Sequence, residues 1–272
     1  MEFRFRVFNL TLQPFASWFE NLSRNSWCRY PAPTHGFSLH RWVRGARAAV
    51  EVLAQRQIKQ GNAGRMGIHT IALQSEEHMA MERPEFLEIC RNHRWVILWG
   101  WFFRADCYLE RHQHSIRKFL RLKKGLDLEL ESALEINRKK YDWQIALHIR
   151  QGDFRTWSAG KFYIPPQVFS DHAWRILAAH PEKKIQFWVC SDEPVDLNLF
   201  PPETRTSPGF TLREDLRIIT TCDFVLSGNS TLARVGAFLG GSRLHNLSLQ
   251  AEPSSDPRNW QESWKALTEN SS

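Results

Sequence analysis

From Met66 onward the sequence predicts an α/β fold, a mostly parallel sheet covered by helices. Two observations predict it. Short apolar runs of strand length alternate with longer amphipathic segments. Three of those runs also end in small polar or charged clusters, and open α/β sheets bind their ligands at the carboxyl ends of strands.

The strand candidates are residues 68–73, 94–99, 144–149, 185–190, 224–227 and 243–247. Helices are expected between them. The one after Pro165 begins with a proline tolerated in a first turn, and Val168, Trp174, Ile176 and Leu177 supply its apolar face. Residues 212–222 and 231–239 form two more. A last helix is expected over 256–268, opened by Asp256 and Pro257, with Trp260, Trp264 and Leu267 on one side. Upstream, Pro31, Pro33 and Gly36 divide an aromatic-rich start from a helical stretch at 39–60. GNAGRMG at 61–67 lacks the ending of a phosphate-binding loop and reads as a flexible connection.

At 272 residues the chain can form one large domain or two lobes, each with its own core. A net charge of +7 points to an anionic partner, whether nucleic acid, membrane surface or phosphorylated small molecule. Nucleic acid is disfavoured, because the chain has no aromatic RNP pattern, zinc knuckle or basic extended tail. The most basic run, Arg111 to Lys124, carries Ile116, Phe119 and Leu120 at helical spacing, so a solvated helix face is its plainer reading. The same run suits peripheral attraction to an anionic membrane.

Five cysteines are scattered without a short metal-ligand spacing, which fits reduced thiols in a cytoplasmic protein and no bound metal. No apolar run approaches the roughly 20 residues needed to span a bilayer. The longest, 95–103, reads as a buried strand. The opening residues mix charges with apolar side chains and make a poor signal peptide.

The chemistry concentrates after residue 141. QIALHIRQGDF, residues 144–154, is a buried-strand pattern that stops at His148, Arg150, Gly152 and Asp153. Arg150 there is a fixed cation with a planar fork suited to phosphate oxygens. Gly152 lets the backbone approach closely. VCSDEP at 189–194 brings Asp192 to a second strand end. At a third, Ser227, Asn229, Ser230 and Thr231 precede an apolar helix whose N-terminus favours an anion. Each piece also has a plainer reading. Asp192 could start a turn, Ser230 or Thr231 could cap a helix, His148 could be a core histidine, and Arg150 with Asp153 could be a structural ion pair.

Taken in order, these pieces resemble the fucosyltransferase superfamily, which includes the alpha-1,2 and alpha-1,6 fucosyltransferases and the protein O-fucosyltransferases. HIRQGDF is similar to that group's HxRxGD[FY] motif. FWVCSDEP and EDLRIITTCDFVLSGNSTLARVGAFLGG are similar to the segments that follow it, and WGWFFRADCYLERHQHSIRKFLRLK resembles an upstream one. The resemblance spans about half of the chain, residues 95–241, and rests on order and spacing.

It implies a GT-B-like fold of two Rossmann-like lobes. The N-terminal lobe, 1–140, would be atypical and face the acceptor. Residues 141–255 would form the nucleotide-sugar lobe, and 256–272 a helix docking back on the body. It also implies transfer of fucose from GDP-fucose to a glycan hydroxyl by an inverting reaction with no metal and no cofactor beyond the donor substrate. Arg150 would hold the diphosphate and help GDP leave, and Asp153 or Glu193 would take the acceptor proton. His148, Gly152, Asp192, Asn229, Ser230 and Thr231 would line the donor site. Two departures support a second reading, a non-catalytic nucleotide-sugar or glycan binder. Gln151 stands where many bacterial relatives have a second arginine, and no glycine-rich GGLGNQ-like turn precedes Met66.

Overall fold

A computed structural model describes residue 52 and residues 68–73, 79–93, 95–99, 103–209, 211–247, 254–263 and 265. The expected helix at 39–60 and the glycine-rich connection at 61–67 lie outside the described residues, apart from Val52. Two compact units divide the described residues, one ending at Gln113 and the other beginning at His114.

In the first unit, β1 (Ile68–Ala72) pairs in parallel with β3 (Trp95–Trp99), and β2 (Met79–Ala80) with β4 (Phe103–Arg104). Helix α1 (Pro84–Asn92) starts on a proline at its first turn and buries Phe86. The run from Trp95 does form a strand, yet Leu98 is 39% exposed. Its continuous apolar character therefore does not mean burial on both faces; among the described residues β3 pairs with β1 alone. Helix α2 (Asp106–Phe119) has no buried residue, and the second unit begins inside it.

The second unit is a doubly wound α/β layer. Its elements are α3 (Leu128–Lys140), β5 (Trp143–Ile149), α4 (Pro166–Ala179), β6 (Ile185–Ser191), β7 (Thr204–Thr206), α5 (Leu212–Thr221), β8 (Phe224–Ser227), α6 (Thr231–Gly240), β9 (Arg243–Asn246) and β10 (Gln261–Glu262). The six strands run in the order β10-β9-β8-β5-β6-β7, all parallel except β10. Strand β5 is therefore central. The chain winds outward from it through β6 to β7, crosses back to β8 on the other side, and winds outward again to β9. The loops after β5 and β8 consequently leave in opposite directions, and in open α/β sheets such a divergence is where a ligand crevice is expected.

Burial on both faces explains the continuous apolar strands. Ile145, Leu147, Ile149, Phe187, Val189 and Leu226 point to the α4 side and meet Phe169, Ala173 and Ile176. Ala146, Trp188, Cys190 and Val225 point the other way, to Leu130 and Leu134 of α3, Ile218 and Ile219 of α5, and Ala233 and Ala237 of α6. Helix starts are locally encoded: Thr211 and Glu214 form a reciprocal capping box on α5, and Ser230 caps α6.

The helix expected from Asp256 differs in its first turns. Asp256 caps a short 3-10 turn, Pro257–Asn259, followed by the antiparallel edge strand β10. Trp260 is buried against Phe224 beside the α4 face. Pairing with the open edge of β9 satisfies backbone groups that a helix here would leave exposed at the sheet edge. Among the described residues, no helix is long and apolar enough to cross a membrane.

Helices α5 and α6 approach closely where Gly240 meets Thr220. A Cβ on Gly240 would lie 2.5 Å from the Thr220 carbonyl oxygen, a backbone atom that cannot swing away. Helix propensity alone favours Gly240→Ala by about 1 kcal/mol. The overpacking predicts the opposite sign, a loss of about 1 to 3 kcal/mol in urea denaturation. An unchanged or higher midpoint would show that the two helices have room to separate.

Candidate functional site

The register brings three strand ends level with one another. His148 of β5 stands opposite Cys190 of β6 and Ser227 of β8. Residues following each strand therefore emerge side by side at the carboxyl edge of the sheet.

Arg150 is the first residue beyond β5, with its side chain 36% exposed. Its Nε donates to Asp153 Oδ1 at 2.9 Å and lies 3.4 Å from Asp192 Oδ2. Both of these contacts are made through Nε, and neither Nη group of the fork makes a hydrogen bond among the described residues. The guanidinium also lies 5.7 Å from the centre of the Phe154 ring. The Arg150 hydrogen bond holds the Asp153 carboxyl below the usual carboxylate range, and the same bond raises the pKa of Arg150.

Asp192 is fixed from the other side, since its Oδ1 accepts from the Gln151 backbone N–H at 2.8 Å. That contact explains the glycine beside it. A Cβ on Gly152 would come within 2.9 Å of Asp192 Oδ2, so any side chain here would push the carboxylate off its partners.

Gln151 is buried and bridges two strand ends. Its Nε2 donates to Ser191 Oγ at 3.3 Å, and its Oε1 accepts from Arg155 Nη2 at 3.1 Å. Arg155 in turn donates to Glu193 Oε2 at 2.5 Å. The site thus has a second cation after all, one turn further along the chain and seated on the glutamine. The sequence reading did not single out Arg155, although it directly follows the QGDF segment.

At the third strand end Ser230 is buried and its Oγ accepts from the Ala233 N–H at 3.4 Å, the capping role. Thr231 is exposed as the first residue of α6. Asn229 Oδ1 accepts from Arg234 Nη2 at 2.8 Å. Arg234, 9% exposed in the first turn of α6, is a buried cation that the sequence reading also missed. An arginine inside the apolar helix TLARVGAFLG was its visible signal, because a buried charge is kept only with a compensating partner.

Two buried titratable groups stand behind these residues. His148 is 4% exposed and its Nδ1 has no hydrogen-bond partner among the described residues. Burial, aided by the Arg150 charge, pushes its pKa down to about 4, so the imidazole is neutral near pH 7. Asp215 accepts from Ser207 Oγ at 3.2 Å, and burial pushes its pKa up to about 7, with Glu214 and Asp192 adding in the same sense. The sequence reading did not include Asp215 in the site.

Around Arg150, the carboxylates of Asp153, Asp192 and Glu193 face the guanidinium groups of Arg150 and Arg155, which leaves one negative charge in excess. An anion that docks on the Arg150 fork competes with these carboxylates for the same guanidinium. Asp153, 60% exposed, is the one free to leave, whereas Asp192 is held by the Gln151 N–H. Among the described residues, no group of three or more His, Cys, Asp or Glu side chains is placed to hold a metal ion.

No protein-family model matches the chain, and no curated protein matches it in sequence. Solved structures do align with it. A mutant of Arabidopsis thaliana FUT1 in complex with GDP aligns at a TM-score of 0.42 and 11% identity, covering 67% of this chain and 50% of that one. POFUT1 in complex with GDP aligns at 0.31 and 14% identity, covering 64% and 70%. POFUT1 in complex with GDP-fucose aligns at 0.32 and 12% identity, covering 66% and 72%. The chain spans half the length of the FUT1 structure.

His148 and Asp215 give opposite pH dependences. The folded pKa of His148 lies below the ordinary 6.5, so the unfolded chain takes up the proton first. Stability is lost as pH falls from 6.5 towards 4, by about 3 kcal/mol at most. Asp215 has its folded pKa above the ordinary 3.8, so stability is lost as pH rises from 3.8 to about 7. In Asp215→Asn the second effect disappears. Urea denaturation between about pH 4.5 and 7.5 should then show a steeper acid-side loss than in the parent protein. Parallel profiles would remove Asp215 from the titration.

Proposed function

We propose that the protein is a glycosyltransferase that moves fucose from GDP-fucose to a glycan hydroxyl, by an inverting reaction that uses no metal. The observation that carries this reading is Arg150. It stands just past the carboxyl end of the central strand, anchored through Nε, with neither Nη group hydrogen-bonded among the described residues. A fork so anchored is suited to the oxygens of a diphosphate. The N-terminus of α6 emerges from the neighbouring strand β8 and offers backbone N–H groups to the same charge. The identity of the nucleotide and sugar comes from the motif resemblance, as does a GT-B architecture with the second unit as the donor lobe.

In this mechanism the acceptor oxygen attacks the anomeric carbon from the face opposite the diphosphate. The bond between that carbon and the diphosphate oxygen breaks, and its electron pair leaves with GDP. Arg150 and the α6 N-terminus stabilise the negative charge that grows on the leaving group. The acceptor proton passes to Asp153. While Arg150 holds it, Asp153 is a weak base, because the ion pair lowers its pKa. A diphosphate that draws on Arg150 loosens that pair and raises the basicity of Asp153 when transfer needs it.

The charge excess around Arg150 favours a second reading, a binder of nucleotide sugars that does not turn them over. GDP binding without transfer to any of a broad panel of glycans would select it.

Titration calorimetry with GDP, GDP-fucose, GDP-mannose and UDP-glucose tests the donor assignment. Arg150→Ala should lose GDP affinity by about 100-fold, the worth of a charge-assisted bidentate contact. Unchanged affinity would sink the donor site. Asp153→Asn removes a competitor for the same guanidinium. It should bind GDP at least as tightly as the parent while transfer falls by about 100-fold or more, the scale of a lost general base. Weaker GDP binding by Asp153→Asn, with transfer per bound donor unchanged, would return Asp153 to a purely structural role.

A further inference from the structure

Strand and helix directions give the second unit two unlike ends. Helices α5 and α6 run back against the strands, so Thr220, Thr221 and Leu239 lie at the amino-terminal ends of β8 and β9, opposite the edge that carries Arg150. A cavity of about 380 Å³ opens there, roughly the size of a small-molecule site. The basic side chains in its lining are His114, Arg117, Lys118, Arg121, Lys124 and Arg217, and no carboxylate of the described residues lines it.

Some of these cations have work within the fold. Arg117 Nε donates to the Phe238 carbonyl at 2.5 Å near the end of α6, where a cation offsets the helix dipole. Arg217 pairs with Glu131 at 3.1 Å and donates to the Lys123 carbonyl, so that carboxylate is already engaged, and Glu262 acts on Arg117. The Nε of Arg217 is buried with no hydrogen-bond partner among the described residues. Arg121 and Lys124 are exposed and make no ion pair among the described residues. Helix capping therefore accounts for Arg117 but not for the concentration of positive charge on one concave surface. Like charges so gathered repel one another unless an anion occupies the space between them, and a cleft lined by one sign of charge focuses its field.

We propose that this cleft is a second ligand site that binds a compact group bearing several phosphates, independent of the crevice at Arg150. Arg121 and Lys124 supply the attraction, and Arg117 and Arg217, held rigidly by their carbonyl and carboxylate partners, form its floor. The same chemistry is offered by a soluble inositol polyphosphate or by the headgroup of a phosphoinositide in a membrane.

The test uses the full chain, the double variant R121E/K124E and Arg150→Ala. Both substituted positions of the double variant are exposed, and circular dichroism verifies its fold. Calorimetry with inositol hexakisphosphate should show binding that weakens as salt rises, falls by about tenfold or more in R121E/K124E and is unchanged in Arg150→Ala. Sedimentation with phosphatidylcholine vesicles containing phosphatidylinositol 4,5-bisphosphate separates the sources. Pelleting that the double variant loses, and that phosphatidylserine vesicles of equal charge do not reproduce, assigns the headgroup. Binding of the free polyphosphate without pelleting assigns a soluble ligand. No binding of either probe, binding as tight in R121E/K124E as in the parent, or binding lost in Arg150→Ala would overturn the proposal. The last outcome would mean that the anion sits at the crevice. Loss of GDP binding in Arg150→Ala tests the crevice separately, so either site can fail alone.

Discussion

The parallel pairing of β5 with both β6 and β8 is the constraint on which the second unit depends. One strand must be buried on both faces and hydrogen-bonded on both edges, so it can carry no charge along its length. Six of its seven residues are buried, and polar function is displaced to its end. The pairing also forces the crossover from β7 to β8, which makes the loops after β5 and β8 diverge. The row of candidate side chains at one edge of the sheet is thus a consequence of strand order.

At that edge the polar groups are arranged to hold one another. Gln151 ties the end of β5 to Ser191 at the end of β6 and to Arg155, and Asp192 receives the Gln151 N–H while bracing Arg150. A glutamine suits this place better than a second arginine would, because it is buried and must both donate and accept. The result is a preorganised fork with a displaceable carboxylate beside it. Neutral His148 and the raised carboxyl of Asp215 lie behind, where burial rather than partner charge sets their protonation.

The two ends of the sheet differ in charge for a simple reason. Carboxylates cluster where strand ends meet the start of α5, as Asp192, Glu193, Glu214 and Asp215, with Glu214 and Asp215 in that helix's first turn. Basic side chains gather where helices finish, as Arg117 does at α6 and Arg138 does through the Thr221 carbonyl. Helix dipoles favour both placements, and the surplus of cations at the basic end goes beyond what two helix ends require.

The sequence by itself determined the strands of the second unit, because a strand buried on both faces needs a continuous apolar run, and the ends of 144–149, 185–190 and 224–227 fall within a residue of β5, β6 and β8. It also determined the candidate cluster at His148 to Asp153, Asp192 and Asn229 to Thr231, since each residue adjoins a strand end. Strand order was decided only by tertiary structure. Periodicity reports which faces are buried and says nothing of which strand lies beside which. Tertiary structure likewise decided the partners: that Arg155 reaches Glu193, that Arg234 reaches Asn229, that Asp215 is buried near Asp192, and that the segment after Asp256 caps an open sheet edge. Each depends on groups far apart in the chain or on which neighbouring group a side chain finds, and the distance between two side chains is fixed by packing rather than by local pattern.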